Sequence, residues 1–121
     1  MSHHILIVED ESNEALLYRE EFEDAGYEVT VATEAEAALA AVKAHRPDLV
    51  VLDINMPGKD GLDLLRELLD LDRKLPVVLN TAYREYQQQF LSWAAAAYVV
   101  KSSDPTELLQ TVSNVLAGQT R

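Results

Sequence analysis

Leu49-Val50-Val51-Leu52-Asp53-Ile54-Asn55-Met56-Pro57-Gly58 is the stretch that settles how the rest of the chain folds. Its first four residues are all apolar, with Pro47 before them and Pro57-Gly58 after. A run that short and that evenly apolar fits a parallel strand buried on both faces and stopping at a tight loop. Asp53 then stands at the carboxyl end of the strand, where open α/β sheets place their chemistry. The pattern recurs along the chain. Ile5-Leu6-Ile7-Val8 runs into Glu9-Asp10, Val77-Val78-Leu79 into Asn80-Thr81, and Tyr98-Val99-Val100 into Lys101.

Helical segments separate these runs. Ser12 is expected to cap a helix that turns Ala15, Leu16, Phe22 and Ala25 inward, with Gly26 as its C-terminal stop. Tyr27-Glu28-Val29-Thr30-Val31 alternates apolar and polar and reads as an edge strand. Thr33-Glu34-Ala35-Glu36 reads as a capping box opening an alanine-rich helix. Gly61 starts a third helix through Leu64, Leu65 and Leu68, and Pro76 introduces the fourth strand. A fourth helix is expected from Arg84 to about Trp93, with Phe90 and Leu91 inward. Asp104-Pro105-Thr106-Glu107 supplies an N-cap, a Pro at N1 and a Glu at N3 for a last helix ending near Gly118. Five β–α units with short, right-handed connections give an α/β fold: a doubly wound, five-stranded parallel sheet with helices on both faces.

The 121 residues suit one domain spanning 1–121, with a hydrophobic fraction of 48% that is ordinary for a globular protein. No cysteine is present, which excludes disulfides and thiolate metal sites. No apolar run approaches a membrane span, and the first residues lack the pattern of a signal peptide, so a cytoplasmic location is expected. The net charge of −11 repels phosphate backbones and argues against direct nucleic-acid binding. It fits a Lys/Arg-bearing protein partner, or solubility alone.

In the order 2-1-3-4-5, strands one and three meet at the switch point, so Glu9, Asp10 and Asp53 converge. Clustered carboxylates repel and raise one another's pKa. A hard divalent cation relieves this, and oxygen-only ligands suit Mg2+ or Mn2+ better than zinc. A carboxylate in such a site can take a phosphoryl group as an acyl phosphate. Lys101 can pair with Asp53 and then with the phosphoryl group, and the Thr81 hydroxyl can bond a phosphoryl oxygen. Ala82 is small enough to leave the path open.

These residues, in this order and over essentially the whole chain, resemble the receiver domain of two-component response regulators, in the stand-alone, chemotaxis-regulator-like form. The resemblance rests on Ile5 to Glu11, Asp53 to Gly61, Thr81-Ala82 and Tyr98 to Lys101. It implies a flavodoxin-like fold with Asp53 as phosphoacceptor and Glu9, Asp10, Asp53 and the Asn55 backbone carbonyl around Mg2+. It implies Thr81 and Tyr98 as a switch pair and Lys101 as the lysine of the family pattern. The implied donors are a sensor histidine kinase, a phosphotransfer protein or a small molecule such as acetyl phosphate, and the family also catalyses its own dephosphorylation. Output is expected through the face made by the fourth helix, fifth strand and last helix, toward a downstream protein or a second copy. No effector domain is evident, so a stand-alone receiver is expected.

Two departures from the family pattern stand out. Ser102 replaces the proline that usually follows the lysine, so a trans Lys101–Ser102 bond is expected. Ala94 and Ala97 replace a glycine and a polar residue in the turn before the fifth strand, and alanine tolerates positive φ poorly, so that turn is expected to close differently. Two other function classes compete. Asp53-x-Asn55 resembles the aspartate-nucleophile phosphatases of haloacid dehalogenase type, but Asn55 cannot serve as their general acid. A receiver-like interaction module that is never phosphorylated would be expected to lack Asp53 or Lys101. His3 and His4 read as exposed residues at the start of the chain. Tyr83, Tyr86 and Trp93 read equally as a partner surface or as packing.

Overall fold

The structure is a computed structural model that describes residues 2–55, 61–82 and 94–119. The Met56-Pro57-Gly58 loop and the helix expected from Arg84 to Trp93, with Tyr83, Tyr86, Phe90 and Leu91, lie outside the described residues.

In chain order the elements are β1 (His4–Val8), α1 (Ser12–Asp24), β2 (Glu28–Ala32), α2 (Ala35–Ala44), β3 (Leu49–Leu52), α3 (Gly61–Leu71), β4 (Val77–Thr81), β5 (Ala97–Val100) and α4 (Thr106–Gln119). All five strands pair in parallel in the order β2-β1-β3-β4-β5. This is the doubly wound parallel sheet expected from the alternation of elements, in the flavodoxin-like order that the resemblance implies.

The sheet is covered on both faces because alternate residues of each strand meet different helices. Leu6, Val8, Val50, Leu52 and Leu79 pack with α2 and α3 through residues such as Ala38, Leu64 and Leu68. Ile5, Ile7, Leu49, Val51 and Val78 pack on the other side with Phe22 of α1 and Val112 of α4. Each such side chain contributes about 1.5–3 kcal/mol by leaving water. β2 is an edge strand, and its Glu28 is exposed while Val29, Thr30 and Val31 are half-buried.

Local chemistry differs from expectation at several ends. Glu11, not Ser12, caps α1: its side chain accepts the Glu14 N–H at 2.8 Å. Tyr18 faces inward beside Ala15 and Phe22, whereas Leu16 is 57% exposed and Ala25 is exposed at the cap. Ala15, Tyr18 and Phe22 fall at i, i+3 and i+7 and so share the inward face, from which Leu16 is turned away. Glu34 is the N-cap of α2 and makes no side-chain cap bond, so the Thr33 capping box does not form. Gly26 stops α1 with φ +98° as expected. Asp104 accepts both the Thr106 N–H at 2.9 Å and its hydroxyl at 2.6 Å, as an N-cap should.

His4 is part of the structure rather than a loose end. It opens β1, its Nε2 lies 2.7 Å from Thr30 Oγ1, and its backbone N–H donates to Asp48 at 2.7 Å. Ala94 also departs from expectation. It adopts φ 61°, the only positive φ of a non-glycine residue among those described, so the glycine-type turn persists with alanine in it. That strain costs about 1–2 kcal/mol. Lys101–Ser102 is trans, with no cis bond among the described residues.

Candidate active site

Parallel register brings the polar strand ends together. Val8 is level with Leu52, Leu52 with Leu79, and Thr81 with Val100. The ladder then runs one residue beyond the strands. Glu9 N–H bonds Ala32 O at 3.0 Å, Asp53 N–H bonds Val8 O at 3.1 Å, and Lys101 N–H bonds Thr81 O at 2.8 Å. Backbone bonds, not flexible loops, therefore aim Glu9, Asp53 and Lys101 over one edge of the sheet.

Asp53 is 4% exposed, and both of its oxygens are held. Oδ1 accepts the Asn55 backbone N–H at 2.9 Å, and Oδ2 accepts Lys101 Nζ at 2.7 Å. Glu9 is equally enclosed: Oε1 meets Lys101 Nζ at 2.8 Å and Oε2 accepts the Glu11 N–H at 3.2 Å. Asp10 is exposed at the rim. Glu9, Asp10 and Asp53 each offer a carboxylate oxygen within 4.8 Å of the others. Thr81 is fully buried at the end of β4, and Ala82 beside it is exposed. Tyr98 is buried in β5, level with Leu79 and packed in the α2–α3 layer of the core.

Gly61 makes the loop after Asp53 possible. A Cβ there would lie 2.3 Å from the Ile54 Cα and carbonyl oxygen. The start of α3 thus rests directly on the backbone between Asp53 and Asn55.

The charges are unbalanced. Burial pushes the Glu9 carboxyl up to about 7, against the opposing pull of Lys101. Burial also works against the Lys101 ammonium, but hydrogen bonds to Asp53, Glu14 and Glu9 outweigh it and hold the group well above the usual lysine range. A buried, partly neutralised acidic cluster of oxygen donors fits a hard divalent cation and does not fit zinc.

Sequence reasoning missed Glu14. It stands in the first turn of α1, and its Oε2 lies 2.6 Å from Lys101 Nζ. The signal was present: Glu14 falls on the stripe of Tyr18 and Phe22, and α1 starts from the same strand end that carries Glu9.

Comparison with known proteins agrees. The family model described as the response regulator receiver domain matches residues 5–113. The sporulation initiation phosphotransferase F of Bacillus subtilis is 34% identical over 118 residues, covering 96% of this chain and 95% of that protein. The response regulator TrrA of Thermotoga maritima, solved in complex with Mg2+-BeF, is 40% identical with a TM-score of 0.87, covering 95% of this chain and 99% of that one. A CheY-like receiver domain protein of Methanospirillum hungatei is 29% identical with a TM-score of 0.92, covering 99% and 98%.

Proposed function

The chain belongs to the response regulator receiver domain family, the phosphoacceptor domains of two-component systems, and on that premise we propose that Asp53 is its acceptor. The observation that carries this reading is the grip on the Asp53 carboxylate, one oxygen on the Asn55 N–H and the other on Lys101. A carboxylate so oriented forms the new P–O bond while the bond from phosphorus to the donor's leaving atom breaks and its electron pair departs with that atom. Lys101 then follows the charge from the carboxylate to the phosphoryl oxygens, and the Thr81 hydroxyl donates to one of them. Glu9, Asp10, Asp53 and the Asn55 carbonyl would hold Mg2+, or Mn2+ on the same oxygen donors, and the bound cation would supply positive charge against the phosphoryl oxygens.

The donor is a sensor histidine kinase, a phosphotransfer protein or acetyl phosphate. Thr81 and Tyr98 form the switch: Thr81 moves toward the phosphoryl group and Tyr98 turns into the space it leaves. Phosphorylation shifts a pre-existing balance of two packings rather than bending one. Output leaves through the face that includes β5 and α4, toward a downstream protein or a second copy, without direct nucleic-acid binding. The single-domain, cytoplasmic reading of the sequence belongs to the same proposal.

The test is mass spectrometry after incubation with acetyl phosphate and Mg2+. The expected product carries one hydroxylamine-labile phosphoryl group, mapped to Asp53. Labelling at another residue, or steady turnover of the donor with no labelled protein, sinks the reading.

A further inference from the structure

We infer that Glu14 is a positioning residue for phosphoryl transfer, acting through Lys101 as a brake that the incoming phosphoryl group must release. The inference rests on Asp53 being the acceptor and goes beyond it, to what the lysine must give up.

The argument begins with the lysine's capacity. An ammonium has three N–H donors and no more. Lys101 Nζ has carboxylate oxygens of Glu14, Asp53 and Glu9 at 2.6, 2.7 and 2.8 Å. Every donor is therefore committed before a phosphoryl group arrives. While Asp53 is still a carboxylate, a phosphoryl oxygen of the incoming donor can gain a bond from Lys101 only if one of these three is surrendered.

The three are not equivalent. Glu9 is buried and fixed at both oxygens, by Lys101 and by the Glu11 N–H. Asp53 still carries its carboxylate charge as the phosphoryl group approaches, so its bond to Lys101 is given up only as the P–O bond forms. The Glu14 side chain is 39% exposed and can return to water at little cost. The Glu14 bond is thus the one that yields, and it joins the first turn of α1 to the residue after β5. Its loss on phosphorylation frees that turn.

The test measures single-turnover labelling by acetyl phosphate at saturating Mg2+, in wild type, Glu14→Gln, Glu14→Asp, Lys101→Ala and the Glu14→Gln/Lys101→Ala double variant. Glu14→Gln is expected to speed labelling about threefold to tenfold. Glu14→Asp keeps the charge but shortens the reach, and is also expected to speed it. In the Lys101→Ala background Glu14→Gln is expected to have no effect, because the brake acts through the lysine.

An independent readout is the Lys101 ammonium nitrogen resonance in cation-free protein. Its protons are expected to exchange with water severalfold faster in Glu14→Gln, since one bond is gone. Equal acceleration with and without Lys101 overturns the positioning role and leaves a simple charge effect. Unchanged labelling and unchanged ammonium exchange in Glu14→Gln overturn it entirely. Labelling that persists in Asp53→Ala is the separate result that removes the acceptor assignment, and the inference with it.

Discussion

The two ends of the sheet treat polar groups in opposite ways. At the carboxyl end, Glu9, Glu14 and Asp53 share the one Lys101 ammonium with Asp10 beside them, and burial pushes the Glu9 carboxyl up to about 7. At the amino end the charged groups are paired with opposite charges or backbone donors. His4 meets Thr30 through its ring and Asp48 through its backbone, and Arg46 pairs with Asp72, which also accepts the Lys74 N–H at 2.9 Å. His4 Nδ1 is left buried without a partner. One end is arranged for stability. The other holds an electrostatic deficit that a ligand relieves, as expected of a functional site.

The sharpest way to break that contrast is Asp53→Ala. Phosphoryl uptake is expected to fall below detection, while thermal stability stays level or rises because one like charge has left the cluster. A drop in melting temperature of several degrees would show that Asp53 serves the fold.

Gly61→Ala comes next. The added Cβ collides with the Ile54 backbone, so urea unfolding should show a loss of about 2–4 kcal/mol. Labelling should slow as well, because Ile54 lies between Asp53 and Asn55. An unchanged unfolding midpoint would mean that α3 can move off that loop freely.

The third test is pH. The folded pKa of Glu9 lies above its unfolded value, at about 7 against 4.5. Its contribution to stability is therefore complete below pH 4.5 and is lost as pH rises through about 7, on the order of 3 kcal/mol at most. Lys101 adds no slope in this range, since its raised pKa matters only above its ordinary value. In cation-free protein, Glu9→Gln should flatten the profile between pH 5 and 8. Mg2+ should stabilise wild type more at pH 8 than at pH 6. A wild-type profile already flat without cation would contradict the deficit.

At the amino end the effects should be small and confined to stability. His4→Ala should cost about 1 kcal/mol through the lost Thr30 bond and leave labelling untouched. Ala94→Gly should raise stability by about 1 kcal/mol by relieving the positive φ. Any change in labelling from His4→Ala would mean that the two ends communicate.

The parallel sheet was legible from short apolar runs and chirality rules, and the convergence of Glu9, Asp10 and Asp53 followed once the order of the doubly wound family was taken. The places where the reading failed share one physical trait. Caps such as Glu11 in place of Ser12 depend on local side-chain geometry that residue type only biases. Tyr18 takes the inward place given to Leu16 because the stripe runs Ala15, Tyr18, Phe22, a phase that apolar residues on both sides of it left ambiguous. Glu14 lay hidden because its partner is 87 residues away in the chain, and single-sequence periodicity says nothing about such pairs. Ala94 holds a glycine's conformation that its residue type alone argues against.

The crowding of acids on Lys101 has a further consequence, in chemoselectivity. Acetyl phosphate offers two electrophilic atoms, the phosphorus and the carbonyl carbon, and a free amine attacks the second. Lys101 is held as an ammonium far above its usual pKa, and an ammonium has no lone pair to give. The lysine that sits closest to the reacting donor is thereby the one least able to be acetylated by it. With acetyl phosphate, peptide mapping is expected to find acetyl groups on exposed amines such as Lys43 and Lys74 and none on Lys101.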